Sequence, residues 1–263
     1  MSTAENTAGA MWGKGGRYYD EISFAISDAL AHAAQRLDAQ EGEKVLDIAT
    51  GTGWSARNIA RRGAEVTGID IAADLLAAAR LLSAHVVPKI FFEEANAEAL
   101  PFRNASFDAV ISTFGVMFAP DQAKAASEIA RVCRPGGRVV LATWTPDGAV
   151  ARFFAMIGQH SDAPPPAVSP LLWGDPKHVE KLLGGAFDLS FESGVSDGYH
   201  AGVGEMWDWF VRGFGPLRQL SERLPPDKLA ALKRDFDAYH AHYAVPAGLH
   251  VKREYLITMG TRN

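Results

Sequence analysis

A single cysteine, Cys133, leaves this chain of 263 residues without an intramolecular disulfide and fits a reducing compartment. It closes a helical-looking stretch, residues 126–133, and reads as a small core hydrophobe rather than a reactive thiol. No apolar run approaches the roughly 18 residues needed to span a bilayer. Met1–Gly16 lack the charged, apolar, small-residue order of a signal peptide, so a cytoplasmic protein is expected. A net charge of −5 with no long basic run argues against nucleic acid or an anionic membrane surface as partner. No Cys/His/carboxylate cluster has metal-ligand spacing, and His240 and His242, two apart, do not share a helix face. No catalytic metal is expected, and there is no repeat or low-complexity tract.

What is present is enough apolar sequence, 48% of residues, to bury a full core as one α/β domain or as a domain with an embedded cap. From Ile22 to Leu37 the apolar positions recur at three and four, predicting one helix. An alternation of strands and helices then follows. Lys44–Ala49, Glu65–Ile69, Ile90–Glu93, Ala109–Thr113 and Arg138–Trp144 read as strands; Ser55–Arg62, Ala72–Ser83 and Gln122–Cys133 read as helices. The turn Arg134-Pro135-Gly136-Gly137 precedes the fifth strand. Such alternation predicts a doubly wound parallel sheet, with ligands bound beyond the carboxyl ends of its strands.

After Thr145 the regularity breaks. Helices are expected at Ala149–Gln159, Pro176–Leu183, Met206–Phe214 and Asp227–Tyr243, with strands at Phe187–Ser193 and Val251–Gly260. The organisation expected is a single domain over 1–263, with a ligand-binding core at 40–145 and a cap with substrate-facing insertions at 146–250.

The sharpest motif is Val45-Leu46-Asp47-Ile48-Ala49-Thr50-Gly51-Thr52-Gly53, a buried strand running into a glycine turn that opens a helix. Glycine there lets a ligand approach the backbone and supplies positive φ. The next strand ends at Asp70, whose carboxylate is placed to accept from both hydroxyls of a ribose, each bond contributing on the order of 1.5–3 kcal/mol. Gly51-x-Gly53-x-x-Ala56 with a downstream acid also satisfies the dinucleotide fingerprint of nicotinamide enzymes. Two further segments separate the readings. One is Glu94-Ala95-Asn96-Ala97-Glu98-Ala99-Leu100-Pro101-Phe102 followed by Ser106-Phe107-Asp108; the other is Arg134-Pro135-Gly136-Gly137-Arg138 before a strand.

Together these segments cover about 100 residues in order, and they resemble the class I S-adenosylmethionine-dependent methyltransferases, especially the small-molecule group that includes the ubiquinone and menaquinone biosynthesis enzymes. The resemblance implies a Rossmann-like, mostly parallel sheet with an antiparallel last strand and a helical cap. It implies S-adenosyl-L-methionine as cofactor and a small-molecule methyl acceptor, and it leaves room for a homodimer. Carried over residue by residue, Gly51 and Gly53 border the methionine part, Asp70 holds the ribose and Ile71 packs on the adenine. Asn96 and Ala97 read the adenine edge, while Thr113 and Phe114 line the site beyond the fourth strand. Asp47 orders the turn and reaches toward the methionine ammonium, and the stretch around Tyr19-Asp20 folds over the cofactor. Ala49 stands where many relatives carry the first glycine, and Asn96 where an aspartate is common.

Asp108 reads as a turn partner outside the chemistry. The aromatic set Trp207, Trp209, Phe210 and Phe214 reads either as a planar-substrate pocket or as packing between cap and core. Six histidines, His160, His178, His200, His240, His242 and His250, lie beyond the core where a base for an acceptor would stand, but no spacing singles one out. No catalytic residue is assigned. The competing readings are a nicotinamide oxidoreductase, a non-catalytic S-adenosylmethionine-binding protein, and an enzyme using the sulfonium charge to assist another reaction.

Overall fold

The computed structural model describes Thr3–Asn263, with side chains from Thr7 onward. Helices α1 (Thr3–Gly13), α2 (Tyr19–Phe24) and α3 (Ser27–Leu37) precede the sheet. The core runs β1 (Lys44–Ile48), α4 (Trp54–Ala60), β2 (Glu65–Asp70), α5 (Ala73–Leu82), β3 (Phe91–Glu94), β4 (Phe107–Thr113), α6 (Gln122–Val132) and β5 (Cys133–Trp144). Then come α7 (Ala149–Gly158), α8 (Pro176–Leu183), β6 (Phe187–His200), α9 (Val203–Gly213), α10 (Gly215–Arg223), α11 (Pro226–Ala241), β7 (Ala244–Val245) and β8 (Gly248–Arg262). The sheet order is β3-β2-β1-β4-β5-β8-β6, with β7 paired to β8. The first five strands are mutually parallel. Strand β8 lies antiparallel between β5 and β6, as an antiparallel last strand requires.

The central strands are continuous apolar runs because both faces are covered: Val45, Leu46, Ile48, Ala109, Val110 and Ile111 are buried. Helix α3 lays Ala29, Leu30, Ala33, Ala34 and Leu37 on this sheet. Asp108 accepts from the Lys44 amide at 2.7 Å and from Arg134 Nε at 2.6 Å, clasping the start of β1 to β5. Cys133 is buried, and that burial pushes its thiol up to about 11.

Several boundaries differ from the sequence reading, four of them with a structural cause or consequence. The helix expected over Ile22–Leu37 breaks at Ala25 and Ile26. Its Ala29 amide donates to Asp28 Oδ1 at 2.8 Å instead of continuing the helix, and the Ala25 carbonyl accepts from Arg253 Nη1 at 2.8 Å. The Arg134–Gly137 turn lies inside β5 as an irregularity of the ladder, where a side chain on Gly137 would collide with the Arg134 and Asp108 carbonyls. Strand β6 continues seven residues past Ser193, held by β8 along its whole length. Helix α10 follows Gly213 after a short break at Phe214, where a single amphipathic helix was expected to end.

The cap is built from α7, α9, α10 and α11. It carries its own apolar core of Phe153, Met206, Phe214, Leu217, Leu232 and Phe236, separate from the sheet's. No helix among the described residues is long and apolar enough to cross a membrane.

Candidate active site

Strand order reverses between β1 and β4, so the chain leaves their carboxyl ends in opposite directions and opens a crevice there. Both exits are conformationally strained. Ala49 (φ 55) and Phe114 (φ 57) adopt the left-handed region that non-glycine residues avoid. Gly115 packs directly on Ala49, and a side chain at Gly115 would overlap the Ala49 Cβ. The Phe114 ring stacks on Trp144 at 3.8 Å and meets the edge of Tyr255 at 6.0 Å, packing that holds the strained backbone.

The crevice encloses a cavity of about 390 Å³, within the range of small-molecule sites. Tyr19, Ala49, Gly51, Asp70, Ile71, Asn96, Ala97, Thr113 and Phe114, nine of the residues singled out from the sequence, share its wall. Gly51 (φ 56) faces the Tyr19 ring so closely that a Cβ would already touch it at 3.4 Å. Asp70 closes β2, and each of its oxygens takes one backbone amide: Gly51 N donates to Oδ2 and Ala72 N to Oδ1, both at 2.9 Å. The Ile71 amide also faces the carboxylate. Burial raises the Asp70 pKa, while the amide bonds oppose that rise. Burial and the Asp70 charge also raise that of Tyr19. Asn96 Oδ1 accepts from the Glu98 amide at 2.9 Å, shaping the turn that carries Ala97 to the wall.

Asp47 and Gly53 do not line the cavity but sit behind the turn. Gly53 (φ 84) begins α4 and packs against Phe92, whose ring a Cβ would meet at 3.1 Å. Asp47 lies beneath the turn, 1% exposed, with Oδ2 accepting from Thr50 Oγ1 at 2.7 Å and Oδ1 without a hydrogen-bond partner. Burial pushes its carboxyl up to about 7.

On the far side of the cavity the wall is built from the N-terminal part of the chain, every wall residue lying between Ala8 and Pro120. The N-terminal segment supplies Ala8, Trp12, Ser23, Ile26 and Leu30, and the segment after β4 supplies Phe118. The cap braces this wall from behind, Phe154 against Phe118 at 5.5 Å and Phe214 against Trp12 at 5.7 Å. Phe210 packs on Phe153 and Trp207 on Phe236, so they belong to the cap's core.

None of the six histidines beyond the core lies on the wall. His160 pairs with Asp235, His250 with Asp197 and His178 with Gln122, while buried His240 is driven down to about 4.

Two polar arrangements escaped the sequence reading. Asp20 of α2 accepts from Thr52 Oγ1 and from Arg57 Nη2, both at 2.8 Å, and Arg57 Nη1 also donates to the Thr52 carbonyl. This latch fastens the N-terminal segment onto the glycine turn. Its one sequence signal is an arginine on the buried face of α4. The second is the contact of Ser55 Oγ with Thr113 Oγ1 at 2.9 Å, which puts two hydroxyls together on the wall.

The fold and its strand-end crevice together define the Rossmann-like methyltransferase class. Comparison with known proteins narrows this. The family described as a methyltransferase domain matches residues 46–141. An uncharacterized protein of Mycobacterium tuberculosis is 34% identical over 242 residues, covering 89% of this chain and 86% of that protein. The demethylmenaquinone methyltransferase of Thermus thermophilus is 43% identical over 106 residues, 40% of this chain and 48% of that protein. Among solved structures, a putative methyltransferase of Bacillus halodurans superposes with a TM-score of 0.61 at 22% identity, covering 89% of this chain and 97% of that one. The YcgJ protein of Bacillus subtilis gives 0.65 at 16% identity, covering 90% and 98%. The chain belongs to the class I S-adenosylmethionine-dependent methyltransferases.

Proposed function

We propose that this chain transfers a methyl group from S-adenosyl-L-methionine to an O, N or C atom of a small molecule by in-line displacement. The observation that carries the reading is Asp70. It is a buried carboxylate on the cavity wall, oriented by the backbone amides of Gly51, Ala72 and Ile71 and with acceptor capacity left for ribose hydroxyls. The residues fit the cofactor in two further ways. Gly51 leaves open the space a side chain would take beside Tyr19, and Asp47 beneath the turn orders it by accepting from the Thr50 hydroxyl.

In this reading Asp70 holds the ribose, Ile71 and Ala97 flank the adenine, and Asn96 reads its edge. Ala49, Gly51 and Tyr19 enclose the methionine part, Gly53 and Asp47 support the turn, and Thr113 and Phe114 border the reacting end. When bound, the cofactor supplies an electrophilic methyl group. The protein's own contribution is alignment and exclusion of water, and holding two reactants in an attack geometry removes roughly 7–11 kcal/mol of barrier. The whole chain is one domain in this reading, 40–145 carrying most of the cofactor contacts and the cap supporting the wall.

The test is incubation with methyl-labelled S-adenosylmethionine and a pool of small metabolites. Label recovered in a small organic product supports transfer. Tight cofactor binding with product formed but unlabelled would favour sulfonium-assisted chemistry, and binding with no product at all a non-catalytic binder.

A further inference from the structure

The part of the cavity beyond Thr113 has a chemical bias that narrows the acceptor. We propose that this site takes an uncharged, mainly aromatic acceptor bearing a phenolic or enolic hydroxyl, and that its proton leaves without a protein base. The inference rests on the methyltransfer reading above.

Three observations carry it. First, the wall contains no lysine, arginine or histidine among the described residues. The nearby guanidiniums are committed elsewhere: Arg57 to Asp20 and the Thr52 carbonyl, Arg253 to the Ala25 carbonyl and His200. The titratable acids on the wall are Asp70 and Glu98, and Glu98 Oε1 already accepts from the Asp121 amide at 2.9 Å. A carboxylate or phosphate on the acceptor would therefore be desolvated beside negative charge with no protein cation to meet it, which is disfavoured. Second, the surfaces that remain are aromatic and aliphatic. Trp12 and Phe118 lie 4.9 Å apart and form one face, with Ile26 and Leu30 beside them. Third, the polar pair bordering the reacting end is Ser55 with Thr113, hydroxyls that align an oxygen but do not take up a proton at neutral pH.

The step balances without a protein base. The acceptor O–H gives its proton to water, and the oxygen forms a bond to the methyl carbon as the carbon–sulfur bond breaks. Sulfur keeps the electron pair and becomes a neutral thioether. Ser55 and Thr113 act here as positioning residues.

The test is calorimetric titration of the protein, saturated with S-adenosylhomocysteine, with two probes of matched shape: 4-phenylphenol and 4-phenylbenzoate. The phenol is expected to bind at least tenfold more tightly. Leu30→Lys is expected to reverse that preference, and retained S-adenosylhomocysteine binding would show that the variant folds. Equal or tighter binding of the carboxylate by the wild type overturns the proposal, as does binding of neither probe to a protein that holds S-adenosylhomocysteine. Failure of S-adenosylhomocysteine itself to bind overturns the methyltransfer reading instead, and the proposal with it.

Discussion

The cavity wall and the cap's core are built to opposite rules. The wall and the turn behind it keep two left-handed non-glycine residues, two buried carboxylates with raised pKa and an aspartate–arginine latch. The cap, a few ångströms behind it, is a conventional apolar core in which Phe153 meets Phe210, Phe214, Phe236 and Tyr239. Strain and buried charge collect where a ligand compensates them, whereas a region that only supports the wall is optimised for packing. The two should therefore fail differently when altered.

The largest effect is expected at Asp70. Asp70→Ala removes two charge-assisted bonds to a ribose, about 3–6 kcal/mol, so S-adenosylhomocysteine affinity measured by calorimetry should fall by more than a hundredfold. A loss below tenfold would place the ribose elsewhere. In the cap, Phe236→Ala should cost about 3–5 kcal/mol in urea unfolding while shifting ligand affinity severalfold at most. A large loss of affinity would mean the cap contributes directly to binding.

Asp47 gives the comparison a pH axis. Its folded pKa, about 7, lies above the 3.8 of the unfolded chain, so the native state binds more protons between those values. Stability should therefore fall as pH rises through this window and level off above it. Asp47→Asn, which can still accept from Thr50, should flatten that decline; urea midpoints near pH 5 and pH 8 that decline as steeply in the variant as in the wild type would contradict the assignment.

Smaller effects are expected at the strained exits. Gly115→Ala should destabilise by about 1–3 kcal/mol through overlap with Ala49, and Ala49→Gly in the same chain should recover part of that loss. Ala49→Gly alone should change stability least, raising it by at most about 1 kcal/mol, because relief of the left-handed backbone is offset by glycine's entropy. Thermal unfolding reads all three variants.

Local features of the site were legible in the sequence. A strand, a glycine turn and a following strand ending in an acid are close in sequence, and they bring Gly51 and Asp70 together because the hydrogen bond between them spans only 19 residues. The cavity's closure was not legible. It depends on the N-terminal segment meeting the segment after β4, and nothing in the periodicity of residues 146–250 reveals that α7, α9, α10 and α11 share one apolar core. The helix break at Ala25 depends on Arg253, 228 residues away, and a spacing rule reports nothing at that distance. The aromatic set in α9 shows the same limit, since helical spacing reads alike for a pocket and for a core.

The account stands on the crevice beyond β1 and β2 accepting an S-adenosyl group. Calorimetric titration of the wild-type protein with S-adenosylhomocysteine, repeated with NADH, tests it most directly. One S-adenosylhomocysteine per chain with no NADH binding is the predicted result. Saturable binding of NADH with none of S-adenosylhomocysteine would contradict it.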